Sequence, residues 1–268
     1  MPEFLSNAQV CETCQQGKQP KLPFQANQVR RANQKLQLIH TDVCGPMKTN
    51  SLSGNRYFLL FIDDYTRICW VYFIRLKSEV FDVFKQFKAL VENQCNLSIK
   101  ALRSDNGGEY TSSQFVEFSN SIGIERQLKL PYTPQKNGVS ERKNRTVMEM
   151  ARCLLLERKI PNQFWAEAIN TSVYLLNRLP TKALQDMTPY DAWCGNKPSV
   201  HHLRIFGCIC YYRVPETKRS KLETRLHKGI FMGYSSSKGY RIFCLKSYKL
   251  ILSREVMIDE AAGWDWKN

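Results

Sequence analysis

Three carboxylates stand out by position. Asp42 closes the apolar run Leu-Ile-His-Thr-Asp-Val, and Asp105 closes Ala-Leu-Arg-Ser-Asp and is followed at once by Asn-Gly-Gly. Glu141 lies at the start of a long helical pattern. Taken singly, each is the ordinary acid of a strand end or a helix start, where carboxylates solvate turns and complement the helix dipole. Taken together they predict a cluster, because a helix crossing the ends of neighbouring parallel strands brings all three to one place. Three acids so close cannot all stay ionised without a cation, since like charges raise each other's pKa. Hard oxygen donors suit Mg²⁺ or Mn²⁺, and two such ions about 3.5–4 Å apart form the usual clamp for displacement at a phosphodiester. The expectation is a two-ion site on Asp42, Asp105 and Glu141. Asp63 and Asp64 are explained by a strand-to-turn junction and are left outside it.

The surroundings of Glu141 fit an anionic substrate. At 100° per residue, Arg145, Met148 and Arg152 fall on the same helical stripe as Glu141, with Arg142 and Lys143 beside it. Guanidinium groups bind phosphate oxygens bidentately. The chain of 268 residues carries 39 Lys and Arg against 24 Asp and Glu, a formal charge of +15, and the default partner of such a surface is a polyanion. A second basic cluster, from Arg213 to Lys228, includes Lys218, Arg219 and Lys221. A charge run of this kind is by default a solvated face, but here it lies beside a small β-rich region and is also read as a phosphate contact. Binding of double-stranded DNA is expected to depend steeply on salt, because neutralised phosphates release counterions.

The remaining composition narrows the class. At 43% hydrophobic residues the chain can bury a core, and its longest apolar run, Tyr57 to Ile62, is far shorter than a membrane span. No signal-peptide pattern precedes it, so no membrane partner is expected. Of ten cysteines, only Cys11-Glu-Thr-Cys14 has metal-ligand spacing. The others read as reduced, with Cys69, Cys153 and Cys208 inside apolar stretches.

The elements that must hold the acids follow from periodicity. Leu36–Val43, Tyr57–Asp64 and Ile68–Leu76 predict three strands, and Ser78–Cys95 predicts a helix with Val80, Val83, Phe84, Phe87 and Val91 on one stripe. Ile99–Ser104, Ser112–Ile122 and Ile124–Leu130 predict a strand, a helix and a strand; a long helix from about Asn137 to Lys159 and another over Asn162–Asn177 follow. The order indicates one mixed α/β sheet layered by helices. Beyond Lys197, short runs at Gly207–Val214, Lys228–Gly233, Tyr240–Leu245 and Lys249–Val256 predict a small β-barrel or sandwich.

Three segments carry a resemblance. Leu-Ile-His-Thr-Asp42-Val-Cys-Gly-Pro, Arg-Ser-Asp105-Asn-Gly-Gly-Glu-Tyr and Pro-Tyr-Thr-Pro-Gln-Lys-Asn-Gly-Val-Ser-Glu141-Arg resemble the three motifs of copia-type LTR-retrotransposon integrases, with 141 − 105 − 1 = 35 residues between the last two acids. His-Leu-Arg-Ile-Phe-Gly207-Cys, Lys-Gly-Ile-Phe-Met-Gly233-Tyr and the closing Ser-Arg-Glu-Val-Met-Ile-Asp-Glu resemble the SH3-like segment that follows the core in plant members. The resemblance implies an RNase H-like, five-stranded mixed sheet with flanking helices, followed by an SH3-like β-barrel. It implies Mg²⁺-dependent (or Mn²⁺-dependent) attack of a DNA 3′-hydroxyl on a target phosphodiester, with possible end nicking, by a homo-multimer working in the nucleus after a cytoplasmic particle stage.

The organisation that follows is a truncated zinc-knuckle remnant and linker over 1–35, a catalytic core over 36–180, a connector over 181–200, an SH3-like domain over 201–260 and a tail over 261–268. Cys11 and Cys14 resemble the second half of a His-His-Cys-Cys zinc knuckle whose histidine pair is missing here, so Zn²⁺ would bind only if other ligands were supplied. That missing half favours an alternative, a catalytically silent DNA-binding fragment of a retrotransposon; the intact acid triad argues against it. An RNase H-type nuclease on RNA–DNA hybrids would usually show a different acid spacing. The length reads as a domain pair cut from a longer chain.

Overall fold

Alternation along the second strand sets the architecture. In β2 (Tyr57–Asp63), Phe58, Leu60 and Ile62 point to one side and Leu59 and Phe61 to the other, and all five are buried. A strand buried on both faces reads as a continuous apolar run because both faces are covered by other layers. The structure, a computed structural model, describes residues 31–128, 138–213, 224–235 and 239–266. Cys11 and Cys14 lie outside the described residues, as do Lys218, Arg219 and Lys221.

Around β2 stand β1 (Leu38–Cys44) and β3 (Cys69–Ile74), both antiparallel to it, while β4 (Ala101–Ser104) runs parallel to β1 and β5 (Glu125–Leu128) parallel to β4. The order across this mixed sheet is β3-β2-β1-β4-β5. On one face lie α1 (Val80–Cys95), the short α2 (Gly108–Thr111) and α3 (Ser113–Ser121). Phe84, Phe87 and Val91 form the buried stripe of α1, and Phe61 stacks on Phe87 with ring centroids 4.1 Å apart. Such ring pairs contribute ~0.5–1.5 kcal/mol beyond their buried area. On the other face lie α4 (Gly138–Glu157) and α5 (Trp165–Leu176), whose Val147, Ala151, Ala168 and Ile169, with Phe164 in the turn before α5, share a core with Phe58, Leu60 and Ile62.

The chain then passes through α6 (Pro189–Cys194), where Trp193 packs edge-on to Trp70 at 4.9 Å, into a second sheet. Its strands are β6 (Cys208–Arg213), β7 (Leu226–Tyr234), β8 (Tyr240–Cys244), β9 (Lys249–Ser253) and β10 (Val256–Gly263), all antiparallel in the order β10-β6-β7-β8-β9. The sequence reading ran Lys249 to Val256 as one strand. The structure divides it at Arg254-Glu255, because β9 and β10 occupy opposite edges and the chain must cross between them. β10 carries the sheet to Gly263, and Trp266 beyond it meets Phe164 at 4.9 Å.

Residues 31–268 cluster as one unit, and the second sheet shares its core with the first. Ile209, Ile230, Met232 and Phe243 join the cluster that contains α4 and α5. Arg241 on β8 grips Glu167 on α5 with two hydrogen bonds of 2.6 and 2.8 Å. Gly233 sits at φ +124°, where a Cβ would overlap the Thr171 hydroxyl of α5, so only glycine permits this approach of β7 to the helix. Among the described residues no helix is long and apolar enough to cross a membrane, and none of the eight cysteines forms a disulfide.

Candidate functional site

The central strand supplies the first acid. β1 pairs antiparallel with β2 on one side and parallel with β4 on the other, so His40 stands opposite Arg103 and the chain reaches Asp42 at the same end where β4 gives way to Asp105. Asp105 turns the chain: its Oδ1 accepts the Gly107 amide at 3.2 Å, and Ser104 Oγ donates to the Asp105 carbonyl at 2.9 Å. Underneath, the fully buried Tyr110 hydroxyl meets Thr41 Oγ1 at 2.9 Å, and burial drives that phenol well above its ordinary range.

α4 supplies the third acid and something the sequence reading missed. Its buried positions are Ser140, Asn144, Val147, Ala151 and Leu155, the stripe that faces the sheet, with Glu141 exposed at the edge of that stripe in the first turn. Asn144 lies in an otherwise largely apolar row, one turn beyond Glu141. Its Nδ2 donates to Asp42 Oδ2 at 2.7 Å, while its Oδ1 is buried with no partner. A polar residue interrupting the row Val147, Ala151, Leu155 was the available signal.

Electrostatics tie the three acids together. Burial pushes the Asp42 carboxyl up to about 6, the charges of Asp105 and Glu141 add to the rise, and the Asn144 hydrogen bond opposes it. Asp42 thus feels both other carboxylates, which is the interaction a divalent cation relieves. Among the described residues, however, no three His, Cys, Asp or Glu side chains stand close enough to form a metal-holding group. The acids share one field without converging on one point. The donor set fits hard cations: carboxylate oxygens, one of them fixed by an amide.

The basic residues divide. Arg145 and Arg152 are exposed, and Arg152 lines a groove with Met148. Arg142 is exposed but its charge is felt at Arg67, and that of the half-buried Lys143 at Cys69, so these two serve the flank of α4 nearer the β2–β3 turn. On the Asp105 side, Lys77 pairs at 3.0 Å with Glu109 in the first turn of α2.

Asp63 and Asp64 have other work. Asp63 accepts the Leu36 amide, the Thr66 amide and the Thr66 hydroxyl at 2.7–2.8 Å. Asp64 accepts the Ala32 amide at 2.7 Å and His40 Nε2 at 2.8 Å, and pairs with Arg67 at 3.1 Å. They pin the segment leading into β1 to the β2–β3 turn. Burial holds His40 below its ordinary value, so the ring is neutral and donates from Nε2.

Comparison with known proteins agrees with this arrangement. The integrase core domain family matches residues 32–134, and the retroviral polymerase SH3-like domain family matches residues 208–268. The chain is 44% identical over 252 residues to the Retrovirus-related Pol polyprotein from transposon TNT 1-94 of Nicotiana tabacum, covering 94% of this chain and 19% of that protein. It is 37% identical over 252 residues to the Pol polyprotein from transposon RE2 of Arabidopsis thaliana, covering 93% of this chain and 17% of that one. It therefore spans less than a fifth of the length of these curated relatives. Among solved structures, a chain of the simian T-cell lymphotropic virus intasome in complex with PP2A regulatory subunit B56 gamma superposes with a TM-score of 0.54 at 15% identity, covering 92% of this chain and 87% of that one, a likeness of fold.

Proposed function

The chain belongs with the integrases of plant copia-type Pol polyproteins, and from that premise we propose that it joins a DNA 3′-hydroxyl end to a phosphodiester of target DNA. The observation that supports the reading is position: Asp42 on β1 and Asp105 just past its parallel neighbour β4, with Glu141 in the first turn of α4, so that the charges of Asp105 and Glu141 both add to the rise that burial causes in the Asp42 carboxyl. These three side chains would hold two Mg²⁺ or Mn²⁺ ions. When bound, such ions neutralise the carboxylates and polarise the attacking and leaving oxygens.

The protein's own contribution is placement. Parallel pairing of β1 with β4 fixes Asp42 beside Asp105, and α4 delivers Glu141 across the strand ends. Asn144 holds one oxygen of Asp42 and so orients that carboxylate. Arg145, one turn from Glu141 on the exposed stripe of α4, binds a phosphate that flanks the reacting bond, and Arg152 contacts the strand further along the same stripe. No covalent enzyme intermediate is required, because the attacking hydroxyl belongs to the DNA and in-line displacement exchanges one phosphodiester for another. Water in place of that hydroxyl would make the same site an endonuclease.

The partners of this reaction are double-stranded DNA and further copies of the chain, in the nucleus; the similarity of fold to an intasome chain supports the multimer. The test is joining of a labelled 3′-hydroxyl duplex to plasmid under Mg²⁺. Asp105→Asn is expected to abolish joining while thermal unfolding stays that of the wild type. Full joining by this variant sinks the assignment; DNA retention by the wild type with no joining or nicking in Mg²⁺ or Mn²⁺ makes the protein a binder only.

A further inference from the structure

A groove opens on the molecule two turns along α4 from Glu141, between the segment after β1, α4 and α5. Its volume is about 210 Å³. Pockets for drug-sized ligands run from about 300 Å³ upward, so this recess suits a single ring system better than a peptide side. Met148, Leu155 and Trp165 are among its apolar lining, Lys48, Arg152 and Asn162 are among its polar residues, and none of the lining residues is acidic.

Two details give the groove direction. Trp165 Nε1 donates to the Thr49 carbonyl at 2.9 Å, which consumes the indole N–H and ties the Lys48-Thr49 segment to α5. Lys48 and Arg152 are exposed, and neither has a carboxylate partner among the described residues. Apolar walls with cations at the mouth complement a nucleotide: a base has a π-face for the walls and edge groups for an amide such as Asn162, and its phosphate seeks the cations. Methionine is the side chain that adapts most readily to differing ring shapes.

Position links the groove to the carboxylates. Glu141, Arg145, Met148 and Arg152 share one helical stripe, and at 1.5 Å per residue Met148 and Arg152 lie about 10 and 16 Å along the axis from Glu141. A DNA strand advances about 3.4 Å per nucleotide, so one following this stripe reaches the groove three to five nucleotides from the reacting phosphate. A base held in a duplex cannot enter a recess of this size; it must leave the stack. We propose that the groove receives one unpaired nucleotide of the DNA substrate, three to five positions from the reacting bond, with its base on the apolar walls and its phosphate on Lys48 and Arg152.

This inference rests on the strand-joining reading, and the experiment separates the two. 2-Aminopurine is walked through positions one to seven from the 3′-hydroxyl end of a duplex, and its fluorescence is read on binding to the full chain. The wild type is expected to change the signal at one position within three to five. It should also prefer DNA with a mismatch there by about tenfold, within the range that stacking on an aromatic platform gives. Thr49→Trp, which fills the mouth, and Arg152→Glu, which removes a phosphate contact from an exposed helix face, should each abolish both effects. A flat profile in a protein that still joins DNA overturns the groove inference and leaves the joining intact. A positional signal in a protein that cannot join DNA leaves the groove and overturns the catalytic reading. A change of oligomeric state in Thr49→Trp with unaltered fluorescence assigns the groove to a protein interface and also overturns the inference.

Discussion

Replacing Asn144 by Ala separates catalysis from folding. The amide donates at 2.7 Å to Asp42, and a hydrogen bond to a charged acceptor contributes ~1.5–3 kcal/mol. If that bond orients Asp42 in the transition state, its loss slows joining by roughly 10- to 150-fold, at 1.36 kcal/mol per factor of ten. The effect on folding runs the other way. Asn144 sits in the buried row of Val147, Ala151 and Leu155, and its Oδ1 has no partner there. A buried unsatisfied carbonyl costs ~1–3 kcal/mol, and Ala is the better helix former by several tenths of a kcal/mol. These gains offset the donor lost to Asp42, so Asn144→Ala should unfold within ~1 kcal/mol of the wild type.

The assay is the Mg²⁺-dependent joining rate with kcat and KM resolved, beside a urea unfolding curve on the same preparation. The fall should lie in kcat, because Asn144 touches the acid and not the DNA. Asn144→Asp has the same shape but replaces the donor by a fourth carboxylate, and is expected to fall further. Joining within twofold of the wild type in Asn144→Ala, or a loss of rate matched by an equal loss of stability, refutes the positioning role.

Two further predictions concern the frame. Asp64 is held down at about 2 from 3.8: burial pushes it up, but hydrogen bonds from His40 and the Ala32 amide and the charge of Arg67 outweigh that. A depressed carboxylate stabilises the fold above its unfolded value and loses that contribution as pH falls through its folded one, here between pH 4 and 2. Asp64→Asn should therefore cost ~2 kcal/mol at pH 7, roughly 4–8 °C in melting temperature, with the gap to wild type closing as pH falls through that window. Arg241→Ala strands the buried Glu167 carboxylate and should cost ~2–4 kcal/mol, less than a fully buried pair because the arginine is partly exposed. Replacing both by Leu should recover most of it, and urea unfolding of the three proteins checks this.

How far the site was legible in the sequence depends on the range of each interaction. Strands such as Tyr57–Asp63 and the helix ending at Cys95 were readable because their signals are local: alternation, the 3.6-residue stripe and flanking turns. The three acids were singled out because each ends or begins such an element and the spacing of the last two matched a known pattern. Asn144 was passed over because one polar residue interrupting an apolar row is a weak local signal; only Asp42, 102 positions away, gives it a purpose. Asp63 and Asp64 were read as turn residues, and their partners Ala32, Leu36 and His40 are long-range and equally silent in the sequence. The end of β9 was missed because Lys249 to Val256 carries one continuous β pattern, and only pairing on opposite sheet edges divides it.

The burial of α5 bears on how the two sheets act together. A helix apolar on one stripe packs on one layer, whereas one buried all round lies between two. In α5 the run Trp165 to Ile169 is buried at every position, as are Thr171, Ser172 and Val173, so only the half-buried Asn170 of those turns reaches water. One side meets the mixed sheet and the other meets β7 and β8, through Thr171 on the Met232 carbonyl and Glu167 on Arg241. The SH3-like sheet is therefore an outer layer packed on the integrase-core region rather than a module on a tether. α4 leans on that same helix, and Arg158, just beyond its end, donates to the Glu260 carbonyl of β10 at 2.7 Å. The helix that carries Glu141 and Asn144 is consequently braced from residues more than a hundred positions downstream. A chain cut after α6, before the second sheet, would expose the apolar outer side of α5 and slacken the element that holds the third acid, so folding and the carboxylate geometry should be lost together.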